Sequence, residues 1–234
     1  MQSSQDQKKT FRSRSFFGIP RWNNYIYSLS GVLLQWFPPF RRYQVLGTEN
    51  IPPPGQTLIV VANHVGESDP WLVGSILFRY RHRVCWFTYH VMFDYILMRK
   101  YLQAREEKLA GWIGRALAGY TAAFVARFMM YIITHSDAIP VDPDNSANPL
   151  NQVCRFEAKK SFEEGKCIGI FPQGGINRAQ INPGYLTLAR RYNQPILVVH
   201  IDKENVQVRI YPLLNTGDLK QHTPLSLEAH FLSE

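Results

Sequence analysis

Residues 57–62 read TLIVVA, a short unbroken apolar run rich in β-branched side chains and bounded by polar or proline-rich sequence. Such a run suits a strand covered on both faces, because a strand open to water on one side alternates polar and apolar residues. Comparable runs recur at Val84 to Tyr89, Ala138 to Val141, Cys167 to Phe171, Pro195 to Ile201 and Val206 to Tyr211. Helical signals fall between them. Ser68-Asp69 ahead of Pro70 reads as an N-cap with proline at the first helical position, opening a helix to about Tyr80. Helical patterns cover much of 92–134, and a further helix starts at Asn148-Pro149 and ends at Gly165. Pro183 to Tyr192 gives a last one. Strand and helix alternate, which predicts an α/β fold with a largely parallel central sheet flanked by helices.

With 234 residues, 45% of them apolar and 19% charged, the chain can bury the core of one globular domain plus an appended segment. "NIPPPGQ" (Asn50 to Gln56) places the boundary: three successive prolines neither continue a helix nor donate to a sheet ladder. Residues 1–49 are then an N-terminal segment and 50–234 the α/β domain. The net charge is +8. Most of that excess lies in residues 1–42, where Lys8, Lys9, Arg12, Arg14, Arg21, Arg41 and Arg42 face Asp6 alone.

A cationic end attracts polyanions, and the residues between the cations choose among them. Here they are Trp22, Tyr25, Tyr27, Leu33, Leu34, Trp36, Phe37 and Phe40. Large aromatics flanked by arginines suit a membrane surface, where rings sit at headgroup depth and cations meet phosphate. Nucleic acid is not expected as a partner, since no nucleic-acid-binding module is recognisable. Ile26 to Phe37 is shorter than the ~20 residues that a spanning helix needs. Ala110 to Ile133 is long enough but holds Arg115 and Arg127, and an arginine at mid-membrane costs at least ~2.5 kcal/mol. The expectation is a helical, membrane-associating N-terminal segment and a monotopic or peripheral protein at the cytoplasmic face. Cys85, Cys154 and Cys167 form no C-x-x-C pair and read as reduced thiols.

In parallel sheets, chemistry collects where loops leave the carboxyl ends of strands. "IVVANHVGESDPWLV" puts His64 at that point, with Gly66 read as letting the loop turn and Asp69 at the start of the next helix. A loop of this length can bring Asp69 to one ring nitrogen of His64 while the other faces a cleft, the arrangement of a general base oriented by an acid. The spacing alone is weak, because a histidine bonded to its loop beside a helix-capping aspartate would look the same. Alternatives are missing, however. No G-x-S-x-G nucleophile elbow occurs, and the seven histidines form no H-x-x-x-H or cysteine-rich metal cluster. No metal or cofactor is expected. "IGIFPQGGINR" (Ile168 to Arg178) repeats the pattern of apolar strand and polar, glycine-bearing loop, and Gly174-Gly175 would present backbone N–H groups to a ligand.

The pair "NHVGESDPW" and "FPQGG", in that order and at that separation, resembles the glycerolipid acyltransferases, the group that includes 1-acylglycerol-3-phosphate O-acyltransferase. Their signature is an N-H-x4-D block followed by an F-P-E-G-T-R-like block. "AIPVD" (Ala138 to Asp142) and "QPILVVHI" (Gln194 to Ile201) resemble two weaker blocks, and the likeness covers about residues 43–212. It implies a membrane-associated O-acyltransferase of phospholipid biosynthesis, with His64 and Asp69 as the catalytic pair. Acyl-CoA or acyl-carrier protein would be the donor, and a hydroxyl of a lipid, such as 1-acylglycerol-3-phosphate, the acceptor. Gly66, Gln173, Gly174, Gly175 and Arg178 are the expected substrate-binding residues. Pro143 stands where the family usually has arginine, and Gln173, Gly175 and Ile176 where it has Glu, Thr and Arg. Proline and isoleucine cannot make arginine's paired bonds to phosphate. Another lysolipid, a non-phosphorylated lipid alcohol, or a non-catalytic lipid-binding role are therefore the alternatives.

Overall fold

Leu58, Ile59, Val60, Val61 and Ala62 are each 0% exposed, as a strand held between two layers must be. The computed structural model describes residues 38–109, 112–145, 148–176 and 181–217. After a turn of helix at Pro38–Arg41, the elements run β1 (Gln44–Leu46), β2 (Ile59–Ala62), α1 (Asp69–Arg79), β3 (Val84–Tyr89), α2 (Tyr95–Leu109) and α3 (Trp112–His135). β4 (Ile139–Val141), α4 (Leu150–Glu163), β5 (Cys167–Ile170), α5 (Gly184–Tyr192), β6 (Ile196–Asp202) and β7 (Gln207–Ile210) follow.

The strands form one sheet in the order β1-β7-β6-β2-β5-β3-β4. Every adjacent pair is parallel except β6 with β7. The strand pleat divides β2 between two cores: Ile59 and Val61 pack with Tyr185, Leu186 and Ala189 of α5 and Cys154 and Ala158 of α4. Val60 and Ala62 pack on the other face with Leu72, Val73, Ile76 and Leu77 of α1. Burying each such aliphatic side chain is worth about 1.5–3 kcal/mol. The three cysteines are unpaired and buried, with Cys85 and Cys154 in the first core and Cys167 in the second. Burial pushes the Cys85 and Cys154 thiols up to about 12 and Cys167 to about 11.

The expected strands and helices are found, with ends displaced by a residue or two. The differences lie at β1 and at the start of α1. β1 lies inside the segment expected to precede the compact domain, and it pairs with β7. Gly47, just after it, has φ 77°, and a Cβ there would lie 2.0 Å from the Ile210 carbonyl oxygen, so only glycine lets the chain pass so close to β7. Beside it, Asn50 Nδ2 donates to the same oxygen at 2.9 Å. β7 itself returns antiparallel, because the turn from Asp202 to Gln207 is too short for the crossover that a parallel strand requires. Ser68 occupies the N-cap position of α1, but its side chain makes no capping bond. The expected N-terminal helical segment, residues 1–37, lies outside the described residues.

Candidate active site

Because β2, β3, β4, β5 and β6 run in one direction, their carboxyl ends share one rim of the sheet. The chain leaves β2 through Asn63, which is 3% exposed. Its Nδ2 donates to the Ile201 carbonyl at 2.9 Å, and its Oδ1 accepts from the Ile201 N–H at 2.6 Å. The amide thus acts as one more rung between β2 and β6, past the last backbone pair Ala62 and Val199. Asparagine is suited to this because one side chain carries both a donor and an acceptor. The rung fixes where the next residue emerges.

That residue is His64. Its Nδ1 lies 3.0 Å from Asp69 Oδ2, on side chains 18% and 0% exposed. The same oxygen accepts the backbone N–H groups of Val65 at 2.7 Å and Gly66 at 2.6 Å. The carboxylate therefore turns back to clasp its own loop instead of capping α1. Oδ1 accepts no hydrogen bond. Lys203, in the turn after β6, sets its Nζ 3.7 Å from Oδ1 and donates to the Val65 carbonyl at 2.8 Å, compensating a charge that would be costly to bury alone.

Gly66 corrects an expectation. It is absent from the residues with positive φ, so the turn does not demand glycine there. What a side chain there would meet is the lysine: a Cβ at Gly66 would lie 1.8 Å from Lys203 Nζ and push the ammonium aside.

The loop after β5 closes the other side. Phe171 stacks on the His64 ring, centroids 4.3 Å apart, and on Trp86 at 4.8 Å. Trp86 in turn lies over Gly169, where a Cβ would come within 2.3 Å of its ring. Gln173, 9% exposed, accepts the His64 backbone N–H through Oε1 at 2.5 Å. Gln173 is thus tied to the backbone of His64. Gly174 has φ 63° and donates its N–H to the Phe171 carbonyl at 3.0 Å. That N–H, expected to face a ligand, is committed to the turn. Gly175 follows in the same loop, half-buried, and Arg178 lies outside the described residues.

The third loop follows β4 and abuts the second: a Cβ on Gly174 would lie 3.2 Å from Pro143 Cβ. Asp142, 8% exposed, accepts from the Asp144 and Asn145 N–H groups through Oδ1 and from Asn148 Nδ2 through Oδ2 at 2.7 Å. Burial works against its charge, but the Asn148 and Asp144 bonds, the nearby His90 and the Asn145 bond together hold its carboxyl below the usual value.

Of the expected residues, His64, Gly66, Asp69 and Gln173 come together directly, and Gly174 and Gly175 stand on the adjoining loop. The sequence reading gave no role to Asn63, Phe171, Trp86 or Lys203. Asn63 carried a signal, a polar residue closing a run of buried ones. Lys203 carried none, since its partners lie 138 residues away for Val65 and 134 for Asp69 in an unrelated stretch of chain.

No family model and no curated protein matches this chain. Among solved structures, it is similar to the 1-acyl-sn-glycerophosphate (LPA) acyltransferase PlsC from Thermotoga maritima. That similarity has a TM-score of 0.48 and 14% identity over 96% of this chain and 83% of that one. A likeness of this size leaves the chemistry to the residues themselves.

Proposed function

We propose that the protein is an O-acyltransferase working at a membrane surface, with His64 as general base. The observation carrying this reading is the 3.0 Å contact of His64 Nδ1 with a fully enclosed Asp69 at the carboxyl rim of a parallel sheet. A carboxylate on Nδ1 favours the tautomer that leaves the Nε2 lone pair for a substrate proton. Nε2 takes the proton of a lipid hydroxyl as its oxygen attacks the thioester carbonyl of acyl-CoA or acyl-carrier protein. The tetrahedral intermediate collapses, the carbon–sulfur bond breaks, and the imidazolium returns its proton to the departing thiolate, leaving an ester. Asp69 orients the ring and stabilises the imidazolium. Gly175 is the proposed backbone donor to the oxyanion. With Pro143 and Ile176 offering no charge to phosphate, the acceptors to test include lipid alcohols and several lysolipids as well as 1-acylglycerol-3-phosphate, and Arg178 is the cation proposed to meet a phosphate.

Residues 1–42 hold the chain at the cytoplasmic face in this reading. Among the described residues no helix is long and apolar enough to cross a membrane.

The experiment is acyl transfer from acyl-CoA and acyl-carrier-protein donors to that acceptor panel, comparing wild type with His64→Ala. General-base catalysis predicts a fall of about 10³-fold, and equal product from both proteins removes His64 from the mechanism. Deleting residues 1–37 spares Phe40, which is 8% exposed, and abolishes sedimentation with anionic liposomes. Unchanged sedimentation refutes the membrane assignment.

A further inference from the structure

Asp69 poses a problem that its hydrogen bonds do not solve. Oδ2 takes three donors, while Oδ1, on a side chain with no exposed surface, takes none. A buried carboxylate with one empty oxygen is free in principle to rotate, exchanging the oxygen that meets the imidazole.

Three features of the neighbourhood bear on that oxygen. Lys203 Nζ is 3.7 Å from Oδ1 and anchored at 2.8 Å on the Val65 carbonyl. Gly66 is the position whose side chain would occupy the ammonium's place. Asn63 locks Ile201, two residues before Lys203, to the end of β2. The lysine is therefore aimed from both ends of its short path.

We infer that Lys203 is a positioning residue for the His64–Asp69 pair: its ammonium holds Oδ1 electrostatically so that Oδ2 is kept for the imidazole, and Gly66 exists to admit it. The inference rests on His64 being the working base, and it assigns Gly66 a charge-admitting role in place of a turn-forming one. Lys203 acts through Asp69 and touches no substrate. The charged and titratable groups around the pair, among the described residues, are Lys203, the exposed Glu67 on the same loop, and Tyr43. Burial first and the Asp69 charge second push the Tyr43 phenol up, so it stays neutral and contributes no charge at working pH.

The test follows the His64 Nδ1 proton resonance by NMR in the full-length protein, a readout that needs no substrate and reports the hydrogen bond to Oδ2. Lys203→Met shifts and broadens that resonance, because the carboxylate no longer presents Oδ2 to the ring in one orientation. Lys203→Arg, which keeps the charge, recovers more than half of that shift. Gly66→Ala reproduces the methionine shift by displacing the ammonium, and Gly66→Ala with Lys203→Met adds nothing further, because both remove one interaction. An unmoved resonance in folded Lys203→Met overturns the inference, as do additive shifts in the double variant. Should Gly66→Ala fail to fold, the two lysine variants decide alone. A shifted resonance in a protein that transfers no acyl group would sink the proposed function and leave the positioning role standing.

Discussion

Two aspartates at the same sheet rim are clasped by their own loops and yet are differently finished. Asp142 after β4 accepts from two backbone N–H groups and an asparagine, and both its oxygens are used. Asp69 after β2 also accepts two backbone N–H groups, but on one oxygen, with an imidazole as third partner and the other oxygen left to a lysine at 3.7 Å. A saturated carboxylate is a structural staple, whose value is the turn that it ties. A carboxylate with its bonds concentrated on one side keeps an electrostatic hold on a neighbour that changes charge. The same residue type in the same kind of loop thus serves stability in one place and, in the proposed mechanism, proton chemistry in the other.

That contrast predicts opposite phenotypes for the same substitution. Asp69→Asn should lower acyl transfer by about 10²-fold or more, since the neutral amide neither fixes the tautomer nor stabilises the imidazolium, while circular dichroism stays unchanged. Asp142→Asn should leave turnover within about threefold of wild type and cost about 1–3 kcal/mol of unfolding free energy, read from chemical denaturation, because one buried donor then faces an amide NH2. A mutant with lost activity and unaltered stability at position 142 would erase the distinction.

Acid sharpens it. The Asp142 carboxyl titrates below its ordinary 3.8 in the folded protein. Its ionised form therefore contributes stability above that ordinary value, and the contribution fades as pH falls through the depressed one. Wild type should show a steeper acid limb of stability against pH than Asp142→Asn, and coincident limbs would show that the clasp is not charge-assisted. The smallest effect belongs to Gly174→Ala beside Pro143. A left-handed φ of 63° with a Cβ contact of 3.2 Å should cost about 1 kcal/mol, visible as a lowered thermal midpoint.

Much of the framework was legible because sheet strands buried on both faces must be written as unbroken apolar runs, and residues 58–62 are one. The His64–Asp69 pair was legible because five positions span one loop, and local spacing is what a sequence displays. The rest depends on contacts between distant stretches. Lys203 has no local signature. Gly66 looked like a turn glycine, and only the position of an ammonium from the far end of the chain shows that it supplies room. Asn63 was visible as an oddity but not as a rung, since its partner Ile201 belongs to another strand. β1 escaped because three residues, one of them glutamine, fall below the length at which alternation can be read.

The unpaired thiols give the molecule a built-in clock. Thiolate is the reactive form, and with Cys85 and Cys154 raised to about 12 and Cys167 to about 11 inside the fold, a maleimide can reach them only when the packing breathes. Cys85 and Cys154 sit on one side of the sheet and Cys167 on the other. Matched labelling rates would mean that both layers come apart in a single event, whereas a faster Cys167 would time the detachment of α1, the helix that begins with Asp69.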